Sequence, residues 1–156
     1  MRELNAMPGH LIRRVNQISA SIFAEECAAS GLTSVQFAAL TAMRENPGVD
    51  ATRLSSLIAF DRSTLGDVLE RLEVKGFILR SPSPHDKRIK LLHLSSQGSK
   101  VLKDVEPDVL RVQQRLLAPL DPRDRIEMMR MLTQLIQLHE HVPPLPRSED
   151  TVLPSR

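Results

Sequence analysis

Aromatic side chains are nearly missing from this chain: four Phe, no Trp and no Tyr in 156 residues, 3% of the total. A core built without them rests on Leu, Ile, Val, Met and Ala, which favours packed helices over a β-sandwich. Cysteine occurs once, at Cys27, which excludes an internal disulfide and a cysteine-built zinc site. No apolar run approaches the roughly 18 residues needed to span a bilayer, and no signal peptide is visible. A cytoplasmic location with no membrane partner is therefore expected. A Gly-rich phosphate loop, a cluster of metal ligands and a Gly-x-Ser-x-Gly elbow are also missing. His139 and His141 are two residues apart, so on a helix they face different sides and do not share a metal. Neither an enzyme nor a cofactor or metal site is expected. Net charge is only +2, so any attraction to nucleic acid has to come from local clustering.

What is present is a 41% apolar fraction, enough for one domain with helical extensions, organised around residues 50–98. Asp50 or Thr52 can cap a short helix carrying Leu54, Leu57 and Ile58. Asp61 can cap a second, on which Leu65, Val68, Leu69 and Leu72 recur at spacings of three and four and share a face. Gly76 then ends the helix in a left-handed position. Phe77–Arg80 and Ile89–Leu94 read as two strands, joined by the loop from Ser81 to Arg88. The predicted fold is mainly α with a small β-wing: a winged helix-turn-helix. Its second helix would fill a DNA major groove and its ribbon tip would reach the minor groove. From Arg80 to Lys90 there are four basic residues against one acidic, Asp86, the local excess that phosphate binding needs.

Helices flank this centre. Met7 to Ser30 reads as one long helix, with Met7, Leu11, Val15, Ile18 and Ile22 expected as a core stripe. Thr33-Ser34-Val35-Gln36 is a capping box, followed by Phe37, Leu40 and Met43 as a buried face. Ser95 is expected to cap a fifth helix bent near Val105 by Pro107, and Asp121-Pro122 to start a sixth running to about His141. The Pro-rich residues 142–156 are expected to be extended or disordered. The outer helices carry more apolar surface than a wing module can cover, so a symmetric homodimer is expected.

Three blocks carry a family resemblance. Asp86-Lys87-Arg88, five residues, then Leu94-Ser95-Ser96-Gln97-Gly98 resembles the wing signature of MarR-family transcriptional regulators. Leu69 to Ile78 looks like the family's recognition-helix exit, and Leu32-Thr33-Ser34-Val35-Gln36-Phe37 like the start of its second helix. The likeness runs from about residue 7 to 141 and points toward the type that governs aromatic-acid or nicotinate catabolism. It implies a dimerisation helix with a pocket edge over 1–31, a DNA-binding domain over 32–98 and dimerisation helices over 99–141. It further implies a repressor that binds a near-palindromic operator on double-stranded DNA and is released by a small aromatic acid such as a hydroxylated nicotinate.

Within that reading, the exposed face of the second helix offers Arg62, Ser63, Thr64, Asp67 and Arg71 as DNA-binding residues. Relatives often carry Thr-Arg where this chain has Gly66-Asp67, which leaves the base contacts open. The resemblance gives Arg88 the minor-groove contact and Asp86 its orientation, with Lys87 and Lys90 adding phosphate attraction. Along the first helix, His10, Arg14, Gln17 and Ser21 line one side at spacings of four, three and four. They form a candidate edge for a carboxylate ligand, with Phe37 and Met43 as apolar walls. For Arg14, an ion pair within the chain is the competing reading; for Asp61 and Ser63, simple helix capping. Two other functions stay open: a winged-helix module that binds protein, and a redox-responsive regulator using Cys27.

Overall fold

The computed structural model describes residues 3–139, which fall into two units divided between Leu116 and Leu117. The expected tail over 142–156 lies outside the described residues. In chain order the elements are α1 (Pro8–Glu26), α2 (Ser34–Glu45), β1 (Val49–Asp50), α3 (Ala51–Leu57), α4 (Arg62–Val74), β2 (Ile78–Pro82), β3 (Lys90–Leu94), α5 (Ser96–Leu117) and α6 (Pro122–His139). The mainly helical fold with a small wing is thus present. Single 3-10 turns occupy Leu4–Ala6 and Ala28–Ser30, so the helix expected to reach Ser30 stops earlier, at Glu26.

Local chemistry sets most boundaries in the first unit. The Asp50 carboxylate accepts from the Thr52 and Arg53 amides at 2.9 and 3.0 Å, so Asp50 and not Thr52 caps α3. Asp61 accepts from the Thr64 amide at 3.2 Å to start α4. Gly76, at φ 72°, ends α4 in the left-handed region that glycine enters without penalty. The Thr33–Gln36 capping box closes in both directions, at 3.1 and 3.3 Å. Ser95 joins three elements. Its hydroxyl donates to the Gly76 carbonyl at 2.6 Å and accepts from the Gly98 amide at 2.9 Å, while its amide bonds the Phe77 carbonyl at 3.0 Å. Pro107 lies inside α5, which continues through it to Leu117.

The sheet has three antiparallel strands in the order β1-β3-β2. Its third member, β1, pairs Val49 with Leu92 and Asp50 with Leu91. Pro82 ends β2 on the sheet's edge, where the missing N–H costs no ladder bond. The core draws Phe23 and Cys27 from α1 and its end, Leu40 and Met43 from α2, Leu54, Leu65, Leu69 and Leu72 from the helix pair, Ile78 and Leu92 from the wing, and Leu102, Val105 and Val112 from α5.

The expected core stripe of α1 is corrected by its exposure. Met7, Leu11, Val15 and Ile18 all lie open to solvent, and only Ile22, with its neighbour Phe23, packs on the core. Periodicity shows that the face is apolar; among the described residues of the first unit nothing covers it. The end of α1 is instead held by charge: Glu26 takes Arg111 at 3.0 Å and Arg115 at 2.7 Å, and Glu25 takes Arg115 at 2.8 Å.

The second unit, taken by itself, is α6 with its lead-in. Asp121 caps it through the Arg123 and Asp124 amides, both at 2.9 Å. Arg125 Nε closes the turn on the Leu120 carbonyl at 2.8 Å. None of its described residues is buried; Ile126, Met129, Ile136 and Leu138 are exposed.

Candidate nucleic-acid interface

The wing tip is built around one acid and one base. Arg88 donates from Nε to Asp86 Oδ1 at 3.1 Å and from Nη2 to Oδ2 at 2.9 Å, and the Arg88 amide donates to Oδ1 at 3.0 Å. Asp86 also turns the loop, since its carbonyl accepts the Ile89 amide at 2.9 Å. The guanidinium, followed by the amide, holds the Asp86 carboxyl below its ordinary range, and Asp86 in turn raises Arg88. The Arg88 side chain is nonetheless 91% exposed, a fixed cation presented to solvent.

Behind the tip, a groove of about 480 Å³ runs between the α3–α4 pair and the ribbon. It gathers Arg62 from α4 with Arg80, Arg88 and Lys90 from the wing, and Thr52 from α3. Arg80 belongs to the basic patch of residues 80–90, but spacing alone assigns it no contact. Glu73 holds its Nε at 2.9 Å, on the groove's lining. The signal for it was that local charge count.

The remaining α4 residues divide. Ser63 donates its hydroxyl to the Asp61 carboxylate, and the Thr64 hydroxyl bonds the Asp61 carbonyl at 3.2 Å, so both take part in the cap. Asp67 and Arg71, on the outer face of α4, border a shallow depression with Thr33, Gln36, Glu70, Val74 and Lys75. Lys75 Nζ closes its floor by donating to the Gly31 carbonyl at 2.6 Å.

The expected ligand set does not come together. His10 and Arg14 share a recess of about 410 Å³ with Leu4, Asn5 and Leu11, and Gln17 and Ser21 lie farther along α1, outside it. Phe37 packs on Phe23 with ring centroids 5.9 Å apart, and Met43 is sealed in the core, so neither is a wall of that recess. Among the described residues Arg14 carries no ion pair, which leaves its guanidinium free. Cys27 is fully buried, and burial, then Asp108 and Glu26, push its thiol up, away from a reactive thiolate.

A capped helix pair, a three-stranded ribbon and an arginine-tipped loop over a basic groove define a winged helix-turn-helix regulator. The sequence model described as the MarR family matches residues 32–90. The chain is 31% identical over 113 residues to a putative transcriptional regulatory protein for the hcr operon of Thauera aromatica, covering 72% of this chain and 68% of that one. It is 27% identical over 133 residues to the HTH-type transcriptional repressor NicR of Pseudomonas putida, covering 85% and 84%. The structure superposes on that of BpsR from Bordetella bronchiseptica with a TM-score of 0.76 at 28% identity, covering 82% of this chain and 97% of that one. That structure was described in connection with regulation of DNA binding by 6-hydroxynicotinic acid. The chain belongs to the MarR family of transcriptional regulators. Among the described residues, no helix is long and apolar enough to cross a membrane.

Proposed function

We propose that the chain acts as a homodimeric repressor that seats α4 of each subunit in a major groove and is released from DNA by a small aromatic carboxylate. The observation that carries the DNA reading is the wing tip. An arginine that is exposed yet held through both its Nε and Nη2 arrives already oriented, which reduces the ordering cost of inserting it beside the sugar-phosphate backbone. Arg62, Arg80 and Lys90 along the groove behind it supply phosphate contacts, with Lys87 adding charge at the tip. Two reading helices on a two-fold axis call for half-sites about one helical turn apart, roughly 10 base pairs.

The dimer reading rests on the open apolar faces of α1 and α6. Met7 ahead of α1, Leu11, Val15 and Ile18 on α1 and Ile126, Met129, Ile136 and Leu138 on α6 are the surfaces a second copy would cover. For the ligand, Arg14 offers a fork that matches a carboxylate, His10 a second polar contact, and Leu4 and Leu11 apolar walls. The likeness to BpsR, whose DNA binding is regulated by 6-hydroxynicotinic acid, favours a hydroxylated nicotinate over an aliphatic acid. A ligand that binds better to a dimer of altered spacing shifts the population off the operator.

The test is in vitro selection of an operator from random duplexes, followed by fluorescence anisotropy. Arg88→Ala is expected to lose most of the operator affinity, and saturating 6-hydroxynicotinate to weaken wild-type binding. A monomer at micromolar concentration, or an untouched affinity in Arg88→Ala, overturns the DNA reading. Affinity unchanged by ligand removes the switch alone.

A further inference from the structure

We infer that Asp67 is a base-reading residue that selects a cytosine in the operator half-site, an assignment that rests on the DNA-binding reading above. Four other carboxylates near the DNA-facing surface are already engaged. Asp50 and Asp61 cap α3 and α4, Asp86 holds Arg88, and Glu73 holds Arg80. Asp67 has no hydrogen bond or ion pair among the described residues, although Arg71 lies one turn away on the same helix. It is exposed on the outer side of α4, opposite the buried Leu65, Leu69 and Leu72. An unengaged carboxylate in a major groove is repelled by the flanking phosphates. It belongs there only where a donor meets it.

The groove offers donors of two kinds, the exocyclic amines of cytosine and adenine. Adenine sets its amine beside the N7 acceptor, which repels a carboxylate. Cytosine sets its amine beside a C5–H, which does not. A side chain that only accepts therefore prefers cytosine.

Aspartate is short, so its helix has to ride close to the base edges. Gly66, the preceding residue, makes that approach available: it is exposed, mid-helix, and nothing lies within 4 Å of a Cβ built on it. The backbone of α4 is thus bare next to the one unengaged acid in the amino-terminal half of the helix. Glu70 is also exposed, one turn farther from the end of α4 that enters the groove first, and serves as the control.

The experiment is selection from random duplexes with the full chain, run in parallel for wild type, Asp67→Ala, Asp67→Asn and Glu70→Ala. Wild type is expected to fix a cytosine at one position per half-site. Asp67→Ala is expected to relax that position alone, reducing the discrimination there by about tenfold or more. Asp67→Asn is expected to move the preference there toward adenine, because an amide both donates and accepts. Glu70→Ala is expected to leave the selected site as it was. The inference is overturned if Asp67→Ala selects the wild-type site, or if Glu70→Ala relaxes the same position. If wild type enriches no sequence, the DNA-binding reading falls first and this one with it; enrichment that Asp67 does not influence sinks this one alone.

Discussion

Arg115 Nη1 donates to Glu26 Oε1 at 2.7 Å, joining α5 to the last turn of α1 across 89 positions of sequence. Arg111 reaches the other oxygen of Glu26 at 3.0 Å, and two arginines on one carboxylate hold its pKa below the ordinary 4.5. A carboxylate with a depressed folded-state pKa stabilises the fold above its unfolded value, and the contribution is lost as pH falls through the lower, folded one. Glu26→Gln is therefore expected to lower Tm at neutral pH. The difference from wild type should vanish in acid, below the usual glutamate range, as followed by circular dichroism.

The same sign applies at the wing. Asp86 is held below its ordinary 3.8 by Arg88, so the pairing is complete at neutral pH and opens only in acid. Asp86→Ala leaves Arg88 exposed and free to sample rotamers. Operator affinity is expected to fall, by less than in Arg88→Ala. A steeper fall in the aspartate variant, measured by anisotropy at fixed salt, would mean that Asp86 does more than orient its partner.

Two residues of the helix pair stand against their backbone preferences. Ala59, in the turn between α3 and α4, has φ 51°, where a Cβ is strained, while Gly66 sits inside α4. Ala59→Gly and Gly66→Ala are each expected to stabilise the fold by about 0.5–1 kcal/mol in urea melts. Gly66→Ala is further expected to weaken operator binding, since its methyl stands where the groove closes on the helix. That combination, more stable and less tightly bound, separates a surface cost from a folding cost.

Gly98 is a different case. A Cβ built there lies 2.1 Å from the Phe77 carbonyl oxygen and 2.8 Å from Leu94 Cδ1. The first contact is backbone and cannot swing aside. Gly98→Ala is expected to cost about 1–3 kcal/mol, the range of overpacked cores, by chemical denaturation.

Cys27 is expected to stay unmodified by Ellman's reagent at neutral pH until denaturant opens the core. Its full burial and raised pKa both withhold the thiolate. Stoichiometric labelling of the native protein would restore it as a candidate redox group.

The helix pair and wing were legible because their signals are local. Asp50, Asp61, Thr33 and Gly76 act on amides or angles within a few residues, and each does so at its expected place. What sequence did not disclose depends on distant chain. β1 is two residues long, too short for any alternation, and exists because Leu91 and Leu92 lie opposite it. The apolar stripe of α1 has the right period, yet period says nothing about what lies across from it. His10, Arg14, Gln17 and Ser21 share a side of one helix, but the recess takes two of them. Met43 and Phe37 were spent on packing inside the lobe.

Asp50 does two jobs at once: its backbone pairs with Leu91 in β3 and its carboxylate starts α3. Ribbon and helix pair thereby share a rivet, with no slack between them. If the chain pairs as proposed, a signal from a second copy is expected to reach the double helix by tilting each lobe entire, like a hand turning at the wrist, and not by flexing one finger.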